Sequence, residues 1–194
     1  MGLAIRLKTA SGPQQVEACA ACHSRRTELT GQSPLGQPRL DHHLPALLMP
    51  SLYHADGQQL DEVFVDGSYR QSKMYQKGVG CTACHSAHTG KLKLEGNAVC
   101  LQCHGDKPNA DQPAFAAAAG AFDTSAHHFH KAGSAGAQCV ACHMPAKAYM
   151  QIQLRPDHSL RVPRPDLSVK LGTPNACNGC HADKPAQWAA DQVA

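Results

Sequence analysis

The chain has 194 residues, a formal net charge of +3 and only 5% aromatic residues, set against 16 glycines and 13 prolines. So few large apolar side chains among so many turn formers exclude a thick conventional core, and the small charge gives no support to nucleic-acid binding. Ten cysteines in a chain of this length are the one departure from ordinary composition.

Read from the N-terminus, all ten cysteines fall into one pattern. Cys19-Ala-Ala-Cys22-His23, Cys81-Thr-Ala-Cys84-His85, Cys100-Leu-Gln-Cys103-His104, Cys139-Val-Ala-Cys142-His143 and Cys177-Asn-Gly-Cys180-His181 are five copies of C-x-x-C-H, and no cysteine is left over. Two thiols at this spacing form thioethers to the two vinyl groups of one haem, and the next histidine is held beneath the iron as its proximal ligand. Cys19, Cys22, Cys81, Cys84, Cys100, Cys103, Cys139, Cys142, Cys177 and Cys180 are therefore read as haem c attachment points. His23, His85, His104, His143 and His181 are read as proximal ligands. Zinc ribbons and disulfide frameworks also use paired cysteines, but neither demands a histidine after every pair.

Five haems change the physical picture of the chain. Each ferric haem with ionised propionates carries roughly −1, which brings the assembled protein to about −2. The expected fold is mainly α with much irregular loop and little β, a single unit over 1-194 organised around five covalently bound haems, whether whole or part of a longer protein. Without its haems such a chain is expected to be largely unfolded.

The local elements follow in chain order. Met1 to Pro13 carries Arg6 and Lys8 and no sustained apolar stretch, so it does not read as a signal peptide. Haem c is attached outside the cytoplasmic membrane, so the missing leader implies a mature or truncated sequence of an exported protein, periplasmic or at the cell surface. Gly57 and Gly67 flank Leu60 to Val65, which reads as a short strand pair. Motifs two and three, separated only by Ser86 to Val99, should carry a stacked haem pair. A helix is expected over Ala114 to Ala121, in an apolar stretch too short to cross a membrane. Arg155-Pro156-Asp157 and Val162 to Asp166 read as proline-stiffened extended connections. A last helix should run from Lys184 to Val193, with Asp183 as N-cap.

Eight histidines lie outside the motifs, enough to close every iron on its second side. His88 follows His85 by three residues and can reach a neighbouring haem. His127 and His130 share a face if their segment is helical, while His128 points elsewhere, so this cluster should serve two irons. His158 is a fourth candidate, and His54 is preferred over His42 or His43 as the fifth. Met74 and Met144 are alternatives at one haem, although gap filling suits them better. Arg25, Arg26, Arg155, Arg161 and Arg164 are candidates for pairing with propionates.

With these residues in view, the sequence resembles the multihaem cytochromes of the cytochrome c554 type, often joined to tetratricopeptide repeats. The resemblance runs through Cys19 to Arg26, Asp56-Gly-Gln, Gln71-Ser-Lys-Met74, Gly78 to Cys81, Gly96 to Cys100, His127-His-Phe-His130, Cys142-His-Met-Pro145, Arg155-Pro-Asp-His158, Pro163 to Leu167 and Gly172 to Cys177. In that family further haem motifs usually precede this segment and helical repeats follow it. The resemblance implies an electron-transfer protein with redox proteins as partners, in respiratory or extracellular electron transfer. Two alternatives stand beside it. One is a homopolymeric filament whose end-to-end contacts repeat without closing; the other is an oxidoreductase for a small nitrogen or sulfur compound, which would need an iron with an open position.

Overall fold

Ser11 starts the first helix with a capping box. Its hydroxyl accepts from the Gln14 amide (3.4 Å), and its own amide donates to the Gln14 side chain (2.9 Å), so two orphan amides of the first turn are satisfied. Pro13 is accommodated in that first turn. The resulting α1 (Gly12–His23) ends on the histidine of the first motif, because Ser24 turns extended and leads into β1 (Arg26–Glu28). The computed structural model describes residues 5–32, 36–107 and 120–193.

From there the chain makes short elements around the motifs. β1 pairs antiparallel with β2 (His43–Pro45), with Arg26 opposite Pro45 and Glu28 opposite His43. Two small helices follow, α2 (Asp66–Arg70) and α3 (Lys73–Gln76), the second capped by the Ser72 hydroxyl. The third motif lies in α4 (Ala98–His104), and α5 (Ser125–His128) and α6 (Cys139–His143) come after it. A hairpin of β3 (Ala146–Tyr149) and β4 (Gln153–Pro156) then leads to α7 (Pro165–Leu171) and α8 (Ala186–Val193). The fold is thus mainly helix and loop, with sheet only as two-stranded pairs among the described residues. None of the described helices is long and apolar enough to cross a membrane.

Three local expectations are revised. Leu60 to Val65 forms no strand pair. Val63 is buried there, Phe64 makes a single bridge to Ser24, and the backbone turns into α2 at Asp66 because Phe64 adopts a positive φ of 59°. Pro165 and Asp166 are not extended but open α7, since proline's fixed φ suits a first helical turn. The last helix begins at Ala186, and Asp183 is ion-paired with Lys184 (3.1 Å). The helix expected over Ala114 to Ala121 falls outside the described residues up to 119, and Gly120 and Ala121 are not helical.

Apolar burial is sparse. Leu52, Tyr53 and Val63, with Ala46 against them, form the cluster of buried apolar side chains, while Val16, Ala20, Tyr69, Val99 and Ala189 are buried singly around the chain. A charged cluster holds the N-terminal elements instead. Arg39 and Asp66, with side chains 6% and 4% exposed, pair at 3.2 Å. Arg70 Nε reaches the same carboxylate at 2.8 Å, and Glu17 of α1 pairs with both arginines. Removing one member of a buried pair leaves the other uncompensated, at a cost of about 3–5 kcal/mol. Asp66→Ala is therefore expected to lower stability by an amount in that range; a denaturant midpoint that hardly moves would show that α1 and α2 are held by something else.

Candidate functional site

Each C-x-x-C-H motif sits on one turn of helix, which brings its cysteines and histidine to one side. The first, third and fourth occupy the ends of α1, α4 and α6; the second and fifth lie on 3-10 turns at Cys81–Ala83 and Cys177–Gly179. In the second and fifth, the histidine amide closes the turn on the first cysteine's carbonyl: His85 to Cys81 (3.0 Å) and His181 to Cys177 (2.8 Å).

Side-chain amides pin one motif to the next. Gln15 of α1 accepts from the Thr82 amide (3.0 Å) and hydroxyl (2.8 Å), and its Nε2 donates to the Leu7 and Ala10 carbonyls. Gly80 leaves room for this, since a Cβ there would lie 2.2 Å from Gln15 Oε1. Gln102 Nε2 donates to Ala83 O (3.2 Å), joining the third motif to the second. Asn97, at the start of α4, accepts from the Cys139 amide (2.9 Å) and donates to Ala137 O (2.9 Å), joining the third to the fourth. Gln15→Ala is expected to leave the Thr82 amide unpaired and loosen the first motif from the second. Raised amide hydrogen exchange confined to residues 80 to 85 checks it.

These pins set the sulfurs in sequence order. Cys19 neighbours Cys81, Cys84 neighbours Cys103, Cys100 neighbours Cys139, and Cys142 neighbours Cys177 and Cys180. All ten cysteines are free of disulfides, as thioether formation requires.

The imidazoles meet in pairs. His85 and His158 are stacked with ring centres 6.4 Å apart and 27° between planes; His127 and His143 lie 6.2 Å apart at 6°; His130 and His181 lie 6.2 Å apart at 34°. An imidazole nitrogen binds a metal at about 2 Å, and the ring centre lies roughly 1 Å behind that nitrogen, so two imidazoles on opposite sides of one iron have centres about 6 Å apart. The three pairs have that spacing, and each joins one motif histidine to one non-motif histidine. The residues present therefore fit iron held between two imidazoles. Burial also lowers the pKa of His127 and His158, favouring the neutral ring that binds metal.

Hydrogen bonds orient several of these rings. His85 Nδ1 faces Gly90 O (3.3 Å), His143 Nδ1 faces Arg161 O (2.9 Å) and His158 Nδ1 faces Pro156 O (2.9 Å). A ring donating from Nδ1 to a carbonyl keeps Nε2 unprotonated and directs it away from the backbone. His181 has the Trp188 ring 5.0 Å away, and Phe122 lies edge-on between His104 (6.3 Å) and His127 (5.2 Å).

The other candidates are placed differently. The His128 ring is 6.4 Å from His130, and its Nδ1 accepts from the His130 amide (3.1 Å). α5 ends at His128 and Phe129 takes φ 57°, so His127 and His130 reach different motif histidines without sharing a helical face. His88 is exposed, and His54 stands at a turn closed by its amide to Gln58 O (2.8 Å). Among the described residues no imidazole is stacked on His23, His54 or His88. His42 Nδ1 meets the Thr30 hydroxyl at 2.8 Å. His43 is 1% exposed with neither ring nitrogen hydrogen-bonded, a feature that composition could not reveal. Arg25 and Arg164 are ion-paired with Asp61 (2.7 Å) and Asp166 (2.6 Å), and Arg161 is bonded within the protein.

The family model of the doubled C-x-x-C-H motif matches residues 73–109, which hold the second and third motifs. The matched motif is a doubled form of the pattern to which haem c is attached, and the fold is similar to that of a solved cytochrome. A solved structure with a similar fold is the outer cell wall cytochrome OcwA, with a TM-score of 0.60 and 15% sequence identity over 90% of this chain and 50% of that one. The chain thus spans half the length of that cytochrome. No curated protein matches it at a significant level.

Proposed function

We propose that each of the five motifs holds one haem c and that single electrons pass along the five in sequence order, in respiratory or extracellular electron transfer. The observation that carries this reading is the spacing of the three imidazole pairs, 6.2 to 6.4 Å. His158, His127 and His130, paired with His85, His143 and His181, would then hold the haems of the second, fourth and fifth motifs. His54 and His88 are the candidates left for the first and third, His88 needing a side-chain rotation. Bound haem iron supplies the one-electron redox chemistry. The chain's own residues would fasten each porphyrin through two thioethers, present imidazoles to its iron, and tune its potential through hydrogen bonds and burial.

The order of the motifs supports a path along them, since side-chain hydrogen bonds join the first motif to the second, the second to the third and the third to the fourth. OcwA is a cytochrome of the outer cell wall, and its similarity in fold supports an exported chain at the periplasm or cell surface, with redox proteins as partners. The family is that of the cytochrome c554-like proteins, on the segments between Cys19 and Cys177 that carry the resemblance.

A second reading, redox chemistry on a small nitrogen or sulfur compound, draws on His23, which is exposed and has no imidazole stacked on it among the described residues. Leu40, Leu44, Leu47 and Leu48 are exposed, and electron microscopy of the matured protein separates end-to-end polymers from single molecules. Mass spectrometry and low-temperature paramagnetic resonance of the oxidised protein decide the rest. Five added haems, all low-spin, support the electron carrier. A high-spin ferric signal from the first haem moves the function to the second reading, and a bare polypeptide of 20.6 kDa after haem maturation overturns both.

A further inference from the structure

Segments far apart in sequence meet in one hydrogen-bonded hub behind the second and fourth motifs. Gln71 Nε2 donates to Gly57 O (3.1 Å) and Gly67 O (3.2 Å), Gln59 Nε2 donates to Arg155 O (3.0 Å), and the Tyr149 hydroxyl donates to Gln59 Oε1 (3.0 Å). Gly57 is required at its place. Its φ is +87°, and a Cβ there would lie 2.2 Å from Gln71 Oε1.

The loop from Pro156 to Arg161 is clamped into this hub at both ends. Asp157, 2% exposed, accepts from the Ser159 amide (2.8 Å) and the Gln59 amide (3.3 Å). Arg161 donates from Nε to Ser159 Oγ (2.8 Å), from Nη1 to Asp56 O (2.8 Å) and from Nη2 to Gln71 Oε1 (3.4 Å). Between the clamps Leu160 is held at φ 47°, a conformation that a branched residue keeps only when its surroundings impose it.

Two points of this loop bear on two different motifs. His158 projects its ring to 6.4 Å from His85 of the second motif while donating to Pro156 O (2.9 Å), and the Arg161 carbonyl accepts from His143 Nδ1 of the fourth motif (2.9 Å). The guanidinium of Arg161 fixes the backbone whose carbonyl fixes that imidazole.

We propose that the loop from Asp157 to Arg161 is a bracket that positions one axial ligand at each of two non-adjacent haems, with Arg161 as the positioning residue. The proposal rests on the assignment of His158 and His143 as axial ligands. A ring whose Nδ1–H is held by a carbonyl is a more basic ligand, and basic ligands favour ferric iron. Releasing the bracket therefore raises the potential of the fourth haem and broadens the ligand geometry of the second.

The test uses the matured full chain with Arg161→Gln and Arg161→Lys, read by low-temperature paramagnetic resonance and potentiometric titration. Arg161→Gln should move the low-spin signals of two haems and raise the midpoint potential of one of them, with the haem count by mass unchanged. Arg161→Lys should restore part of the shift. No movement at any haem, or an equal movement at all five, overturns the bracket. Should Arg161→Gln fail to mature, Asp157→Asn, which removes the acceptor of the Gln59 amide at the loop's other end, must move the same two signals, and the bracket falls if it does not. His143→Ala and His158→Ala separate the two layers of the argument. If neither produces a high-spin signal, the ligand assignment is wrong; if both do while Arg161→Gln moves nothing, only the bracket is wrong.

Discussion

His158→Ala converts one ferric haem from low spin to high spin and leaves the signals of the fourth and fifth haems low-spin. His158 is the only side chain whose imidazole is stacked on His85 among the described residues, at 6.4 Å. Its backbone is fixed by Asp157 and Ser159, so the loop cannot slide a neighbour into the same place. Alanine leaves the second iron with one strong ligand, and the weaker field of a five-coordinate or water-bound iron gives high spin. Paramagnetic resonance of the oxidised variant beside the parent protein measures this directly. An unchanged spectrum would mean that the second iron takes its ligand from elsewhere, with His88, three residues from His85, as the nearest alternative. The change should reach beyond spin state: an iron that has lost an imidazole has a higher potential, so the second haem should be reduced before its neighbours in a titration.

The largest effect is expected from withholding haem altogether. Chain produced without haem attachment, or with all ten cysteines replaced by serine, is expected to be unfolded at 25 °C, with far-UV circular dichroism of a coil and no cooperative thermal transition. The reason lies in the burial pattern. Fixing a residue's backbone costs about 1–2 kcal/mol, while the main apolar cluster consists of Leu52, Tyr53 and Val63 with Ala46 beside them. Among the described residues the longest helix has 12 residues and the other α-helices have four to eight, too short to persist in water alone. Porphyrins fastened by two thioethers each would contribute the missing apolar surface. A cooperative transition in the haem-free chain would show that the charged cluster of Arg39, Asp66, Glu17 and Arg70, together with the hub around Gln59, carries the fold unaided.

The hub also explains why the sequence segments behind the family resemblance are spread so widely. Asp56-Gly57, Gln71, and Arg155 to His158 are not separate landmarks. They are the parts of one hydrogen-bonded assembly, with Asp56 and Arg161 joined across 105 positions of chain. Glycine at 57 is set by the Gln71 side chain lying where a Cβ would be. Read along the chain, Asp56-Gly57 looks like a turn and Arg155-Pro156-Asp157 like a stiff connection, and both readings hold locally without revealing that the two meet.

What the amino-acid order determined alone was the chemistry of attachment. The two thiols and the histidine of each motif lie within five consecutive residues, so the pattern that reads as haem attachment is visible without a fold. The mainly helical, loop-rich character followed from composition for a similar reason, because glycine, proline and scarce aromatics act locally. The tertiary structure decided which imidazole faces which. His127 meets His143, His130 meets His181 and His158 meets His85 across separations no periodicity reports, and the left-handed turn at Phe129 sends two neighbours of one cluster to different motifs. An axial pair depends on the distance between two rings, and that distance is set by long-range contacts such as those of Gln15, Asn97 and Arg161, each a single side chain whose partner lies dozens of residues away.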